Sequence, residues 1–275
     1  MTSIVTTVAE LRTALAALKP ARIGMVPTMG ALHDGHVSLV TEARKHADHV
    51  VVSIFVNPTQ FAPHEDFDAY PRTLDADIEK LAGAAAIVFA PNAREMYPQG
   101  YATTITVGGP SAGLETDFRP HFFAGVATVV AKLLIAALPD IAVFGEKDYQ
   151  QLLVVKRLAA DLALPTRIIG APTLREPDGL ARSSRNAYLS AAERGIAGRM
   201  NTILREAIAR AHKSDLRALE AHATAALKDA GFDTVDYVAI RDAETLAVID
   251  TLDRPARILA AAKIGKTRLI DNFAV

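Results

Sequence analysis

The sequence predicts an α/β protein with a doubly wound parallel sheet, followed by a smaller α+β domain. The first observation is that short β-branched runs alternate with longer helical patterns along most of the chain. The second is that several runs, such as "VVVSIFV" and "IAVFG", are continuously apolar. Continuous apolar runs are typical of parallel strands that helices cover on both faces, and strand–helix alternation indicates a doubly wound sheet.

The predicted elements of the first domain follow from these runs and from the periodic patterns between them. The N-terminal stretch "MTSIVTTVAELRTALAALK" is interpreted as an amphipathic helix, because it lacks the basic start, apolar core and cleavage site of a signal peptide. Strands are predicted over Arg22–Pro27, Val50–Val56, Ala86–Ala90, Thr103–Val107, Ile141–Gly145 and Thr166–Gly170, with helices near 36–47, 73–83, 122–138 and 148–162.

A domain boundary is predicted in "APTLREPDGLARSSRN", residues 171–186, because this segment is polar and rich in turn residues. We therefore divide the chain into residues 1–173 and 174–275. The second part contains two helical stretches, about 190–212 and 214–230. Two strand-like runs follow them, "TVDYVAIRD" and "ARILAAAKI", and then the segment "KTRLIDN".

Composition excludes several classes of function. The 275 residues carry a net charge of −1, so there is no basic surface typical of nucleic-acid binding. The absence of cysteine excludes disulfides and thiol nucleophiles and fits a reducing cytoplasm. No apolar run reaches the roughly 20 residues of a membrane span; the nearest, "GVATVVAKLLIAALP", contains Lys132. We expect a cytoplasmic protein without nucleic-acid or membrane partners.

The first candidate site is "PTMGALHDGH", Pro27 to His36, which ends a predicted strand and opens a helix. Free backbone N–H groups and the positive end of the helix dipole would make this turn an anion site. Gly30 and Gly35 would let the backbone approach a ligand closely, and His33 and His36 could donate to phosphate oxygens. A plain helix cap and a zinc-binding histidine pair are the alternatives, and we favour nucleotide phosphate.

The second candidate site is "VFGEKDYQQL", which again joins a strand to a helix. Lys147 could lie over phosphate as a point charge, and Asp148 could hold Mg²⁺ together with substrate phosphates. Gln150 and Gln151 are neutral donors and acceptors. Glu146 and Asp148 could instead simply complement the helix dipole, but that interpretation leaves the lysine unexplained.

Two further loops carry candidate residues. "LARSSRN" offers Ser183, Ser184 and Arg185 on a segment that would suit a lid closing on phosphates, although alone it is an ordinary serine-rich linker. "FVNPTQFAPHEDFDAYPR" offers the neutral groups of Asn57 and Gln60, which can recognise hydroxyl and carboxylate groups. This long loop also holds residues that could suggest a metal cluster, for which we prefer a solvated face: His64, Glu65, Asp66 and Asp68.

Six motifs in order give the chain a recognisable resemblance. They are "PTMGALHDGH", "FVNPTQF", "EDFDAYPRT", "FGEKDYQQ", "DGLARSSRN" and "TRLIDN". Together they resemble the pantothenate synthetase (pantoate–β-alanine ligase) family along nearly the whole chain. The histidine turn resembles the "HIGH" signature of the nucleotidylyltransferase superfamily, and "SSRN" resembles its "KMSKS"-type loop.

The resemblance implies a role for each matching residue. His36 would be the catalytic histidine, with His33 and Lys147 beside it on the phosphates. Gln60 would bind pantoate and later β-alanine, with Asn57 in the same pocket, and Gln151 would bind pantoate. Asp148 would lie near the Mg²⁺ that accompanies ATP. The implied ATP site comprises Met29, Gly30, Ala31, Leu32, His33, Asp34, Gly35, His36, Gly145, Glu146, Lys147, Asp148, Leu174, Arg182, Ser183, Ser184 and Arg185.

The implied reaction belongs to the coenzyme A pathway. (R)-pantoate would attack the α-phosphate of ATP to give pantoyl adenylate and pyrophosphate, and the amine of β-alanine would then displace AMP. The resemblance further implies a homodimer with a Rossmann-like N-terminal domain and a smaller C-terminal lid domain.

The chain departs from the family pattern at two places. The family usually has Arg-Pro-Gly-His-Phe-Arg-Gly where this chain reads "RPHFFAG". Phe122 therefore stands at the histidine position, Ala124 at the second arginine position, and His121 is displaced by one. Because Pro120 is common at helix starts, we expect His121 to precede the helix or lie in its first turn. Arg182 stands where an apolar residue usually precedes the two serines.

Other functions remain as alternatives. A different nucleotidylyltransferase of the superfamily, acting on a phosphate ester, would need cationic groups at the acceptor site, whereas Asn57, Gln60 and Gln151 are neutral. An aminoacyl-tRNA synthetase would need an anticodon-binding domain and a basic face. A nucleotide-binding sensor would bind ATP without releasing AMP.

Overall fold

A six-stranded parallel sheet forms the larger part of the molecule, and it follows the predicted class. The computed structural model describes residues 2–62, 67–211 and 215–275. The parallel strands stand in the spatial order β1-β4-β3-β2-β5-β6. Their bounds are β1 Ser3–Val5, β2 Ile23–Thr28, β3 His49–Ile54, β4 Ile87–Phe89, β5 Ile141–Gly145 and β6 Arg167–Ala171.

The strand order places a topological switch point beside β2. From β2 the chain moves outward through β3 to β4, whereas β5 and β6 lie on the opposite side of β2. In open α/β sheets, ligands bind outside the carboxyl ends of the strands where the order reverses. The fold therefore predicts a ligand site at the residues that follow β2 and β5.

Helices cover both faces of this sheet. Their bounds are α1 Val8–Ala16, α2 Asp34–Ala43, α3 Leu74–Leu81, α4 Ala93–Met96, α5 Glu115–Phe118, α6 Phe122–Ala137 and α7 Tyr149–Asp161. Met25 and Val51 pack in the core that contains α1, α6 and α7, while Val26 and Val52 pack in the core that contains α2 and α3. Adjacent strand residues thus face opposite apolar layers, which explains the continuous apolar runs.

The N-terminal stretch is not one helix. Ser3–Val5 forms the edge strand β1, which pairs in parallel with β4. The helix α1 begins only at Val8, because the Thr7 side chain accepts the N–H of Glu10 while the Glu10 side chain accepts the N–H of Thr7. This capping box ends the extended conformation at a definite residue, and the sequence pattern Thr-x-x-Glu carried the signal.

The strand predicted over Thr103–Val107 does not form. Its apolar alternation is real, since Val107 is buried and Ile105 packs against the main core. The N–H of Ile105, however, donates to the Thr128 hydroxyl on α6, with an N–O distance of 2.9 Å. The segment lies against a helix instead of a neighbouring strand, so periodic burial arises here without a sheet.

The C-terminal part forms an α+β unit with its own core, as predicted. Helices α8 (Ala191–Arg210) and α9 (Leu216–Asp229) pack on a three-stranded antiparallel sheet in the order β7-β8-β9. The strands are β7 Thr234–Asp242, β8 Ala256–Ile264 and β9 Thr267–Ala274. The domain boundary at residues 173 and 174 stays a prediction. Of the predicted features, His64, Glu65, Asp66 and residues 212–214 lie outside the described residues.

Candidate active site

A cavity of about 1200 Å³ lies between the carboxyl edge of the parallel sheet and the C-terminal sheet. The turns after β2 and β5, the serine segment and strand β9 all contribute to its wall, so the structure brings together motifs that are far apart in sequence. The predicted site residues that line it are Met29, His33, Gly35, His36, Gln60, Gly145, Lys147, Asp148, Gln151, Leu174, Arg182, Ser183, Ser184 and Arg185.

The two histidines are held in one tautomer by the backbone of their own turn. Nδ1 of His33, the N-cap residue of α2, accepts the N–H of Gly35 at 3.1 Å. Nδ1 of His36 accepts the N–H of His33 at 3.2 Å. A neutral imidazole that accepts through Nδ1 carries its proton on Nε2. Both rings therefore have a fixed N–H donor on the side away from the turn.

Both imidazoles are uncharged at neutral pH. Burial, followed by the charges of Lys147 and Arg182, lowers the pKa of His33 to about 4. Burial, followed by His33 and Lys147, lowers the pKa of His36 to about 3. The ring centroids lie 4.2 Å apart, so a proton on one ring would also oppose a proton on the other. The turn presents two neutral donors to the cavity wall.

The backbone of this turn is not the free donor array that the sequence predicts. The carboxylate of Asp77, on α3 and 2% exposed, accepts the N–H of Ala31 at 3.0 Å and that of Leu32 at 2.7 Å. The N–H of His36 donates to the carbonyl of His33 at 2.8 Å. These N–H groups are therefore already engaged within the protein, whereas no hydrogen bond is seen from Nε2 of either imidazole to the described residues. Asp77 itself was missed, because it is an ordinary acidic residue in the first turn of a helix.

The turn after β5 brings Lys147 to the same cavity. A 3₁₀ turn spans Glu146–Asp148, and the Nζ of Lys147 lies 3.6 Å from a carboxylate oxygen of Asp148. Lys147 is close enough to both histidines to contribute to their lowered pKa values. The Asp148 side chain is 43% exposed and lines the cavity. A cation and a carboxylate thus line the same cavity as the two neutral imidazoles.

The Gln60 side chain is fixed from behind by Asn57. Asn57 is 1% exposed, and its Nδ2 donates to Oε1 of Gln60 at 2.9 Å. Its Oδ1 accepts the hydroxyl of Tyr97 at 2.7 Å. Gln60 lines the cavity, whereas Asn57 does not. The structure therefore places Asn57 as a support for Gln60.

The two glutamines after Lys147 differ in their surroundings. Gln150 is buried, and its amide bridges the N–H of Glu115 to the carbonyls of Pro110 and Gly113. Both glutamines border the cavity, but the Gln151 side chain makes no hydrogen bond to the described residues. Only Gln151 therefore offers its amide to a ligand.

The departure from the family pattern lies in the wall beside Gln60. Helix α6 begins at Phe122, so His121 precedes it, as predicted. The Phe122 ring lines the cavity and lies under the Arg119 guanidinium, 3.9 Å from its carbon. Arg119 also donates to the carbonyl of Gln60 at 3.0 Å. A cation–π contact thus stands where the family pattern has histidine.

The serine segment packs directly on the histidine turn. Ser184 Oγ donates to the carbonyl of Ala31 at 3.3 Å, and Arg182 forms an ion pair with Asp34. The unexpected Arg182 therefore ties the serine segment to α2. Several residues of the implied ATP site do not line the cavity: Gly30, Ala31, Leu32, Asp34 and Glu146.

Comparison with known proteins agrees with these motifs. The model of the pantoate-beta-alanine ligase family matches residues 3–274. The chain belongs to the pantoate–β-alanine ligase family. A pantothenate synthetase from Mesorhizobium japonicum is 59% identical over 92% of this chain and 90% of its own length. Another from Caulobacter vibrioides is 56% identical over 99% and 98%. The resemblance carried by the six motifs is confirmed.

Solved structures of this ligase family share the fold. Pantothenate synthetase from Thermus thermophilus superimposes with a TM-score of 0.93 at 45% identity, covering 99% of each chain. Pantoate-beta-alanine ligase from Francisella tularensis, complexed with beta-gamma ATP and beta-alanine, superimposes with a TM-score of 0.84 at 38% identity. That match covers 99% of this chain and 97% of the other.

Proposed function

We propose that this chain joins (R)-pantoate to β-alanine in an ATP-dependent reaction that passes through pantoyl adenylate. Membership of the pantoate–β-alanine ligase family supports the reaction. One observation in the molecule carries the assignment of the site. His33, His36 and Lys147 meet Gln60 and Gln151 in one cavity at the switch point of the sheet. Phosphate-binding groups and neutral groups suited to a hydroxy acid thus face the same space.

In the first step, a pantoate carboxylate oxygen attacks the α-phosphorus of ATP. The new O–P bond replaces the bond to pyrophosphate, which leaves with its electron pair. Negative charge grows on the oxygens of the α-phosphate, and the Nε2–H donors of His33 and His36 are placed to stabilise it. Such donors act strongly because they are preorganised in a site with little water. Lys147 adds a positive charge, and Gln60 and Gln151 orient pantoate.

In the second step, the amine of β-alanine attacks the acyl carbon of pantoyl adenylate. The C–N bond of the amide forms, the bond to the adenylate oxygen breaks, and AMP leaves. The nitrogen releases one proton to water as the amide forms. Gln60 is then free to contact β-alanine, because the pantoate carboxylate has become the acyl group of a mixed anhydride with AMP. No covalent enzyme intermediate is required.

The residues present fit Mg²⁺ that arrives with ATP. No group of three or more metal-ligating side chains occurs among the described residues, whereas Asp148 offers one partly exposed carboxylate to the cavity. Mg²⁺ is usually held by one or two carboxylates together with substrate phosphates. Asp148 would hold the ion, and the bound ion would neutralise phosphate charge.

We also propose a homodimer in the cytoplasm. Three apolar side chains are exposed at the C-terminal ends of the neighbouring helices α6 and α7: Ile135 at 45%, Leu138 at 60% and Leu162 at 44%. A second copy covering them would remove this apolar area from water. Within the part of the chain that the structure describes, no helix is long and apolar enough to cross a membrane. Sedimentation analysis of the purified protein measures the oligomeric state.

The test of the reaction is a mixture of the protein, ATP, Mg²⁺, pantoate and β-alanine, assayed for pantothenate, AMP and pyrophosphate. We expect AMP and pantothenate in equal amounts, and pyrophosphate release from ATP and pantoate alone. ADP in place of AMP would contradict the adenylate mechanism and indicate an acyl phosphate. ATP binding with no product would indicate a nucleotide sensor.

A further inference from the structure

The motif "TRLIDN" has no part in the proposed reaction, although its strand lines the cavity. It lies on β9, in the C-terminal unit, and Asn272 is its last residue. Asn272 is only 3% exposed. A buried amide must have hydrogen-bond partners, so its contacts indicate what the strand supports.

Asn272 uses both of its amide hydrogens on the Lys147 turn. Nδ2 donates to the carbonyl of Glu146 at 2.9 Å and to the carbonyl of Lys147 at 2.8 Å. Its Oδ1 accepts Nε of Arg257 at 2.6 Å. One side chain thus forms hydrogen bonds to two successive peptide units that lie more than a hundred positions earlier in the chain.

Arg257, on β8, contacts both Asn272 and the residues that flank Lys147. Its Nη2 lies 3.1 Å from a carboxylate oxygen of Glu146, and its guanidinium stacks over the Tyr149 ring at 3.8 Å. The residues on either side of Lys147 and Asp148 are therefore anchored to the C-terminal sheet. The Lys147 ammonium lies 3.6 Å from a carboxylate oxygen of Asp148.

We propose that Asn272 is a positioning residue that sets the Lys147 ammonium for adenylate formation. The Lys147 turn is a short 3₁₀ segment, in which hydrogen bonds are poorly aligned, so its backbone conformation depends on outside contacts. A displacement of about 1 Å at a reacting group can cost on the order of 100-fold in rate. This inference rests on the proposed function, because it concerns the same site.

A kinetic double-mutant cycle tests the proposal. Pyrophosphate release from ATP, Mg²⁺ and pantoate is measured for the wild type, Asn272→Ala, Lys147→Ala and the double variant. We expect Asn272→Ala to slow the maximal rate at least tenfold in the wild-type background. In the Lys147→Ala background we expect less than a threefold effect, because the group that Asn272 positions is gone.

The control variant removes a buried hydrogen bond at the amino edge of the parallel sheet, which is the edge away from the cavity. Thr166 is buried and donates to the carbonyl of Pro139 at 2.7 Å. Thr166 does not line the cavity. We therefore expect Thr166→Val to lower stability while its rate of pyrophosphate release matches that of the wild type. If Asn272→Ala does not fold, Asn272→Asp, which keeps the shape but cannot donate, takes its place in the cycle.

The outcomes separate this inference from the proposed function. Equal rate losses in the two backgrounds, or no loss in either, would overturn the positioning role while leaving the ligase reaction intact. Absence of pyrophosphate release from the wild-type protein would instead overturn the proposed function.

Discussion

At the scale of residues, the histidine turn owes its chemistry to the partners of Nδ1. Both rings accept a backbone N–H through that nitrogen, and burial keeps both rings uncharged at neutral pH. A neutral N–H group can donate a hydrogen bond to a phosphate oxygen on which negative charge grows, and it keeps its proton while doing so. His33 and His36 are therefore suited to electrostatic stabilisation.

We expect His36→Ala to fold normally and to lose about 10²- to 10³-fold in the rate of pyrophosphate release, since one preorganised donor is removed. His222→Ala is the matched control, because His222 is exposed on α9 and lies outside the cavity wall. Circular dichroism checks the fold of both variants. Full activity in His36→Ala would return the turn to a plain helix cap.

The same histidines make stability depend on pH. In the unfolded chain a histidine binds a proton below its ordinary pKa of 6.5, whereas folded His36 stays neutral down to about 3. The unfolded state therefore binds more protons between these values, and stability is lost as the pH falls from about 6.5. His33, with a pKa of about 4, acts in the same direction.

We expect wild type to lose roughly 1–2 kcal/mol more than His36→Ala between pH 7 and 5, an order-of-magnitude figure from the depressed pKa. Urea denaturation at pH 7, 6 and 5 measures the difference. The variant comparison cancels the carboxylates, which titrate in both proteins. Parallel losses in the two proteins would show that His36 is not kept neutral by burial.

At the scale of elements, α6 is held against the 3₁₀ turn that carries Gln60. A Cβ at Gly125 would overlap the carbonyl oxygen of Thr59 and lie 2.7 Å from its carbonyl carbon. The Gly125 carbonyl also accepts Nδ2 of Asn57 at 3.3 Å. Glycine at this position therefore permits the close approach that sets Asn57 and, through it, Gln60.

We expect Gly125→Ala to push the Gln60 turn from α6, to raise KM for pantoate at least tenfold and to cost about 1–3 kcal/mol in stability. Steady-state kinetics and urea denaturation measure both effects. Gly195→Ala is the matched control, since Gly195 is exposed in α8 and its Cβ would meet open space. That change should stabilise the helix by about 0.5–1 kcal/mol without altering KM.

At the scale of the whole molecule, an ionic network beside the cavity joins helix α5 to the C-terminal sheet. Arg268 on β9 donates to both carboxylate oxygens of Glu115 on α5, at 2.8 and 2.9 Å. The Tyr237 hydroxyl on β7 donates to the same carboxylate at 2.7 Å, and Nε of Arg268 donates to Asp236 at 2.7 Å. The Glu115 carboxylate of the first unit is therefore paired through both of its oxygens with a cation of the second unit.

We expect Arg268→Met to destabilise the protein by about 3–5 kcal/mol, because it removes the cation that binds both Glu115 oxygens and Asp236. Arg119, whose Nη1 lies 3.8 Å from Glu115, makes only the weaker contact that remains. Thermal and urea denaturation measure the loss. Arg254→Met is the control and should leave stability unchanged, since among the described residues Arg254 forms an ion pair with its exposed neighbour Asp253 alone. A loss in Arg268→Met no larger than in the control would show that the network is solvated.

Much of the fold could be predicted because it is encoded in local patterns. The apolar runs around Val51 and Val143 are continuous since both faces of the sheet are covered. The segment around Ile105 shows the limit of such patterns, because periodic burial against a helix resembles periodic burial in a strand. The edge strand Ser3–Val5 was missed because three residues are too few to show a period.

The sequence by itself determined the family, the doubly wound class and the turns that carry His36, Lys147 and Gln60, since these depend on residue types close together in the chain. Only the tertiary structure decided how those groups are held. Asp77 accepts the N–H groups of Ala31 and Leu32 in the histidine turn, and Asn272 donates to two carbonyls of the Lys147 turn. These contacts join residues tens to more than a hundred positions apart in the chain. Tertiary packing determines which residues meet at such separations, so local sequence patterns cannot predict these hydrogen bonds.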